Sequence, residues 1–358
     1  MSSTTGFRNA AERLVGKSLP GGWNVVTKIQ RHPGDTGGNF SVNYLVENDD
    51  GREGFCKVLN YSWVVKAQAM GLDPVDAMTN AMAVYRFERD LTRKCVGLSR
   101  VVTALDDGSF ALPEYEQGVV SFIVFERAEG DIRRILNVED RVEISSRLRI
   151  LHNMAAGVRQ LHARHVAHQD VKPSNALVFT GGPFGPRHAK LGDLGRATDR
   201  DSPSPHDEYP IAGDPNYAPP EALYGAVPLD FAARRLACDL FQLGSMVSFV
   251  FTATTINALL HSELHPSHSW NNWQGSYGDV LPYVRDAFGR SVEKVGDSSP
   301  EVISERVKRL MRWLGDPDPA LRGHPAERQV GGNIYRLDRI VSELDLLSRR
   351  ASWKARQA

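Results

Sequence analysis

The chain has 358 residues, 41% hydrophobic and 24% charged, and its 43 basic and 43 acidic residues cancel to a formal net charge of +0. That length holds one large domain or two lobes with sizeable cores, and the balanced charge excludes the basic footprint of a nucleic-acid-binding protein. Cys56, Cys95 and Cys238 are far apart and odd in number, which predicts reduced thiols in a cytoplasmic protein, and the opening MSSTTGFRNAAERLVGK lacks the apolar stretch of a secretory segment.

Residues 1–22 are expected to be an N-terminal extension. From Trp23 to about Phe125, segments rich in β-branched and aromatic residues alternate with turn signals. Strands are predicted at Trp23–Ile29, Phe40–Val46, Gly54–Leu59, Ser99–Leu105 and Val119–Phe125. Asn48-Asp49-Asp50-Gly51 and Asp106-Asp107-Gly108 read as turns between them. One helix interrupts, Asp76 to about Cys95, with Ala81, Val84, Phe87 or Glu88, and Leu91 at helical spacing.

From Ile132 the pattern turns helical. Leu148, Leu151, Ala155, Val158 and Leu161 make one apolar stripe, so 145–164 is predicted as an amphipathic helix that delivers the chain to His168. The apolar run Leu240–Leu260 carries Gln242, Ser245, Ser248, Thr252, Thr254, Thr255 and Asn257, and is read as a buried helix, not a membrane span. His261, His265 and His268 lie in a Pro- and Ser-containing stretch that reads as a loop, not a metal site. Arg349, Arg350, Lys354 and Arg356 give the end of the chain a basic, solvated character. The expected architecture is α+β: a β-rich lobe over 23–126, an α-rich lobe over 127–348, a hinge at 126–130, and a basic tail over 349–358.

The most informative stretch is His168–Asn175, HQDVKPSN. It places a carboxylate, a lysine two positions on and an amide five positions on in one short segment. Phosphoryl transfer from ATP needs that set: an acid to orient the attacking hydroxyl, a cation for the migrating phosphoryl group and an oxygen donor for magnesium. Downstream stand Asp193-Leu194-Gly195, then Gly213-Asp214-Pro215-Asn216-Tyr217 with Pro219-Pro220-Glu221, and finally Arg322 in WLGDPDPALRGHP. Upstream, Lys57 lies in the strand pattern GFCKVL.

In these motifs the chain resembles the eukaryotic-like serine/threonine protein kinases, in their soluble bacterial form, over about residues 23–322. The resemblance implies a bilobal kinase-like fold, ATP and Mg²⁺ as cofactors, and a protein substrate, with no nucleic acid or membrane partner; it leaves the oligomeric state open. It implies that Asp170 orients the substrate hydroxyl, Lys172 neutralises the transferring phosphoryl group, and Asn175 and Asp193 hold magnesium. Lys57 would pair the α- and β-phosphates and be held by Glu88, with Asp90 as the shorter competitor. Gly37 and Gly38, with Gly34 nearby, would approach the phosphates, and Glu126, Ala128 and Leu177 would complete the ATP site. Ser202, Ser204, Asp214 and Glu221 would belong to the activation segment. Glu221 would pair with Arg322, and His168 and Asp239 would support the catalytic loop.

Four departures from the family pattern stand out. Gln169 replaces the arginine that reads activation-loop phosphate, so activation by loop phosphorylation need not apply. Asp214 replaces a threonine that helps define hydroxyl specificity. Phe55 stands where a small alanine roofs the adenine. The glycine-rich loop lacks its last glycine. The polar stretch 199–209, DRDSPSPHDEY, is expected to be a mobile part of the activation segment, with Ser202 and Ser204 as autophosphorylation candidates. A small-molecule phosphotransferase and a pseudokinase scaffold stay open as alternatives. Lys172 and Glu221 favour a protein substrate over the first, and the full set of transfer residues favours activity over the second.

Overall fold

The structure is a computed structural model that describes residues 9–30, 41–62, 64, 70–115, 118–138, 143–180 and 188–355. The chain divides into two compact units. The first comprises residues 1–97 and 102–129, the second residues 98–101 and 130–358.

The first unit is built on a six-stranded sheet in the order β1-β2-β3-β4-β6-β5. Its strands are β1 (Ser18–Leu19), β2 (Trp23–Lys28), β3 (Ser41–Asn48), β4 (Glu53–Leu59), β5 (Ala104–Leu112) and β6 (Gly118–Glu126). Alternation along β2, β3 and β4 puts Trp23 and Val25, Val42, Tyr44 and Val46, and Cys56 and Val58 into one core. The Tyr44 hydroxyl donates to the Ala11 carbonyl at 2.6 Å, and burial pushes its pKa up to about 12. The three cysteines are buried free thiols, and burial pushes Cys56 up to about 12.

The one strand predicted out of place is β5. It runs from Ala104, not Ser99, and it contains the Asp106-Asp107-Gly108 stretch expected to be a turn. Tertiary partners override the turn propensity. Asp106 accepts from the Trp23 indole at 3.1 Å, and Asp107 is gripped by the Arg93 guanidinium at 2.6 and 2.9 Å. Gly108 passes the Phe122 ring so closely that a Cβ would stand 3.0 Å from it.

Helix α1 (Pro74–Lys94) opens on Asp73, whose side chain accepts from the Val75 and Asp76 amides, with Pro74 at the first helical position. Its buried face is Ala77, Ala81, Tyr85, Glu88 and Leu91; Tyr85 takes the place expected of Val84. The Tyr85 hydroxyl donates to the Phe122 carbonyl at 2.9 Å and so pins the helix to β6.

The second unit is mainly helical. Its helices are α2 (Ile132–Val138), α3 (Ile144–His162), α4 (Pro220–Leu223), α5 (Ala237–Thr252), α6 (Ile256–Glu263), α7 (Tyr277–Asp297), α8 (Glu301–Gly315), α9 (Pro325–Val330) and α10 (Asp338–Ala355). Leu148, Leu151, Ala155, Val158 and Leu161 of α3 are all buried, as their spacing predicted. The apolar run is two helices. Ala253, at φ 56°, ends α5, and Thr255 caps α6 by accepting from the Ala258 amide. Among the described residues no single helix is long and apolar enough to cross a membrane; the bent pair of residues 232–252 and 256–263, kinked by 82°, passes the same test by length and composition.

Small strands complete this unit. The strand β7 (Gly130–Asp131) pairs with β9 (Ala176–Phe179), which forms a hairpin with β10 (His188–Leu191), and β8 (Val166–Ala167) pairs with β11 (Thr198–Asp199). His261 lies in α6, His265 caps a short turn over Pro266–His268, and His268 stacks on Tyr283 at 4.0 Å. Among the described residues no group of three or more His, Cys, Asp or Glu side chains is arranged to hold a metal ion.

Candidate active site

In the first unit, Lys57 Nζ lies 2.6 Å from Glu88 Oε1. The lysine comes from the middle of β4, where it pairs with Asn43 and Ile123, and the glutamate from the buried face of α1. The Glu88 side chain is only 6% exposed and that of Lys57 24%, so the pair interacts in a medium that screens it less than bulk water. Asp90 points away, is exposed, and takes the neighbouring Arg89. Phe55, two residues before Lys57 and half-buried, packs against the core of the sheet. Glu126 ends β6 and accepts from the Thr103 amide at 2.8 Å; Ala128 follows it, half-buried. Gly34, Gly37 and Gly38 lie outside the described residues.

In the second unit, the segment after β8 carries the HQD sequence, held from below by α5. Asp239, fully buried, accepts from the His168 amide at 2.8 Å through one oxygen and from the Gln169 amide at 2.8 Å through the other. His162 Nε2 stands 2.9 Å from the same carboxylate. Gln242 adds a second fastening: its Nε2 donates to the Gln169 carbonyl at 2.7 Å, and its Oε1 accepts from the Val171 amide at 2.8 Å. Gln169 sits at φ 64°, a left-handed conformation that a residue with a Cβ keeps only when its surroundings hold it. The His168 ring is fixed as well, with Nε2 3.0 Å from the Gly192 carbonyl, so that Nδ1 accepts from the Asp170 amide at 3.2 Å.

These fastenings present Asp170, which three donors orient. Its Oδ1 accepts from the Asp214 amide at 2.9 Å, and its Oδ2 from Asn175 Nδ2 at 3.0 Å and Lys172 Nζ at 3.0 Å. Asn175 Nδ2 also donates to the Asp170 carbonyl at 2.8 Å. Lys172 bridges to Asp214 Oδ2 at 3.4 Å, so the aspartate that replaces a threonine keeps the contact with the lysine. The segment that carries Gly213 approaches closely: a Cβ on Gly213 would stand 2.1 Å from the Gln169 carbonyl oxygen and 3.0 Å from Asp170 Oδ1. Gly213 opens the GDPNY stretch, and the distance gives the reason that only glycine fits there.

The Asp193 turn follows the β9–β10 hairpin. The Gly192 amide donates to the Asn175 carbonyl at 2.8 Å, which ties this turn to the HQDVKPSN stretch. Asp193 adopts φ 60°, ψ 79°, accepts from the Gly195 amide, and is exposed, while Leu194 is buried. Leu177, half-buried in β9, pairs with Lys190 on one side and Asp131 on the other.

Glu221 and Arg322 form a bidentate pair with both contacts at 2.6 Å, the arginine side chain 0% exposed and the glutamate 3%. Arg322 also donates to the carbonyls of Asp316 (2.7 Å), Ala237 (3.2 Å) and Pro317 (3.2 Å), and lies over the Phe241 ring. Burial would lower its pKa, but the carboxylate more than reverses that, and the net shift is upward.

Residues 199–209, expected to be mobile, make hydrogen bonds within the segment and to its neighbours. Ser204 is buried and donates to the Ala197 carbonyl at 3.3 Å, and Asp207 accepts from the Ser204 amide at 2.7 Å. His206 Nε2 meets the Gly195 carbonyl at 2.8 Å. Ser202 is exposed. The tethers come from Arg234, Arg235 and His206, residue types that local composition treats as solvated. Gln242 carries no signal of its fastening role in sequence, because it sits in an otherwise apolar helix.

Comparison with known proteins identifies the family. A family model described as the protein kinase domain matches residues 100–328, and the chain belongs to that family. It is similar to the serine/threonine-protein kinase PkaB of Streptomyces coelicolor, 33% identical over 33% of this chain and 27% of the relative. The human serine/threonine-protein kinase DCLK2 is 32% identical over 54% of this chain and 23% of its own length. A rice serine/threonine-protein kinase/endoribonuclease IRE1 is 24% identical over 89% of this chain and 32% of the relative. The chain thus spans about a quarter to a third of the length of these relatives. The β-rich and helical units are the two lobes of a kinase fold.

Proposed function

We propose that the protein is a Mg²⁺- and ATP-dependent serine/threonine protein kinase, transferring the γ-phosphoryl group to hydroxyls of protein substrates. The carrying observation is the orientation of Asp170 by Asn175, Lys172 and the Asp214 amide. In this reading the Asp170 carboxylate accepts a hydrogen bond from the substrate hydroxyl and aims its oxygen for in-line attack; positioning contributes more than basicity. Lys172 balances negative charge that develops on the transferred group. Lys57, steadied by Glu88, takes the α- and β-phosphates. Glu126, Ala128 and Leu177 contribute to nucleotide binding.

The donor set suits magnesium, a hard cation that prefers oxygen. Asp193 offers a carboxylate, and Asn175, whose amide nitrogen is committed to Asp170, offers its amide oxygen. These two residues would hold the metal, which when bound screens phosphate charge. The bidentate Glu221–Arg322 pair supports a protein acceptor over a metabolite, because it fixes the segment that follows Asp214. Among the activation-segment serines, exposed Ser202 suits autophosphorylation and buried Ser204 does not. Three buried free thiols suit the cytoplasm.

The test is phosphate transfer from labelled ATP to a generic protein acceptor, with and without magnesium. Asp170→Asn should lower kcat by about a thousandfold or more while leaving nucleotide affinity within about threefold, the signature of a group that acts on the reacting atoms. Transfer by the variant at the wild-type rate would refute the assignment.

A further inference from the structure

The most unusual group near the catalytic loop is a cation that the phosphoryl-transfer chemistry does not use. Arg235 is 3% exposed, and Asp207 and Asp239 favour its charge only from a distance, since none of the ion pairs found among the described residues includes it. Burial and the neighbouring Arg234 push its pKa down. A buried charge without a contacting counter-ion persists only where hydrogen bonds hold it. Here they run in two directions. Nη1 donates to Gln169 Oε1 at 3.3 Å, while Nη2 meets the carbonyls of His206 (3.1 Å), Asp207 (2.9 Å) and Tyr209 (3.5 Å). The Arg235 carbonyl in turn accepts from Gln169 Nε2 at 2.8 Å, and the same amide reaches Asp239 Oδ1 at 3.0 Å.

The backbone is shaped for this. Residues 232–236 form a π-helical turn leading into α5, and such a turn re-aims side chains relative to a regular helix. Arg234 shares the task, donating to the carbonyls of Asp207 (2.8 Å) and Tyr209 (3.1 Å). His206, whose own carbonyl is clamped, continues the connection to Gly195 in the turn after Asp193.

We propose that Arg235 is a positioning residue: a permanent guanidinium clamp that couples the backbone of residues 206–209 to Gln169, and through Gln169 to the adjacent Asp170, so that the catalytic loop is held without a phosphate on the segment. The proposal rests on the kinase reading of this site. Its physical content is that one planar fork spans the loop amide on one side and the segment carbonyls on the other. A lysine, with a single ammonium on a flexible stem, cannot make both sets of bonds. The clamp also accounts for Gln169: with an arginine at that position a second cation would face Arg235, whereas a glutamine amide both donates to the Arg235 carbonyl and accepts from its guanidinium.

The test compares wild type with Arg235→Lys and Arg235→Gln as full-length chains. The measurements are kcat and KM for ATP and for a generic protein acceptor, amide hydrogen exchange over residues 199–213, and the wild-type rate before and after phosphatase treatment. The expected result is a fall in kcat of about tenfold or more in both variants with KM for ATP within about twofold, together with faster exchange at residues 206–213. Phosphatase-treated wild type should keep its rate within about twofold and show no lag. A purely structural role would instead lower the melting temperature and leave kcat of the folded fraction unchanged, which overturns the proposal. So does a phosphatase-treated enzyme that loses its activity. If Arg235→Gln does not fold, Arg235→Lys, which keeps the charge, decides. If the wild type transfers no phosphate at all, the kinase reading fails and exchange alone decides the clamp: faster exchange at 206–213 in Arg235→Lys sustains it, and unchanged exchange overturns it.

Discussion

Replacing Glu221 with alanine strands a fully buried guanidinium, and the expected cost can be worked from its surroundings. The substitution removes two charge-assisted hydrogen bonds of 2.6 Å but leaves Arg322 its bonds to the carbonyls of Asp316, Ala237 and Pro317. Breaking a buried pair from one side costs about 3–5 kcal/mol, and the remaining carbonyl bonds place this site toward the lower end of that range. For a domain of this size such a loss lowers the melting temperature by roughly 6–20 °C. Thermal unfolding followed by circular dichroism, with urea titration as a check on the slope, measures it. The double variant Glu221→Met/Arg322→Met should recover part of the loss, since removing both charges leaves neither uncompensated. A Glu221→Ala melting temperature within about 2 °C of wild type would refute the reasoning, because the buried charge would then have found another partner at no cost.

Gly213→Ala should be folded but impaired. Its new Cβ would stand 2.1 Å from the Gln169 carbonyl oxygen, so the segment must move off the catalytic loop. A displacement of this kind costs up to about a hundredfold in kcat; steady-state kinetics at wild-type levels would show that the loop does not depend on the segment. Acid should weaken the protein through His206. Its pKa lies below the usual 6.5, first because of burial and then because Arg196 is close. The folded state therefore holds it neutral, and its contribution is fully present above the unfolded value of 6.5 and lost as the pH falls from there through the lowered folded value. Melting temperatures of wild type should fall more steeply below about pH 6.5 than those of His206→Asn, and parallel curves would contradict this.

Much of the site was legible in sequence because its residues are neighbours along the chain. His168, Asp170, Lys172 and Asn175 fall within eight positions, and the phosphoryl-transfer reading proposed for them rests on that spacing whatever the surroundings. Helix α3 was legible for a similar reason: its stripe of Leu148, Leu151, Ala155, Val158 and Leu161 follows from a period that local geometry imposes. The pairing of Lys57 with Glu88 over Asp90 was also readable, since helical periodicity sends residues two apart to different faces.

Other features depend on contacts between segments far apart in the chain. Asp106-Asp107-Gly108 has turn composition, yet it lies in a strand because Trp23 and Arg93 satisfy the two carboxylates there. Residues 199–209 have the polarity of a loose loop, yet Arg234 and Arg235, some thirty positions on, hold their carbonyls. Gln242 looks like a polar interruption of an apolar helix until its amide is seen bracketing Gln169 and Val171. By itself the sequence determined which residue types stand side by side around Asp170 and the order of the elements, because both rest on residue type and local period. Only the tertiary structure decided what holds Asp170 in place, because a hydrogen-bond partner is chosen by proximity in space, and no spacing along the chain records that Arg235 ends beside Gln169.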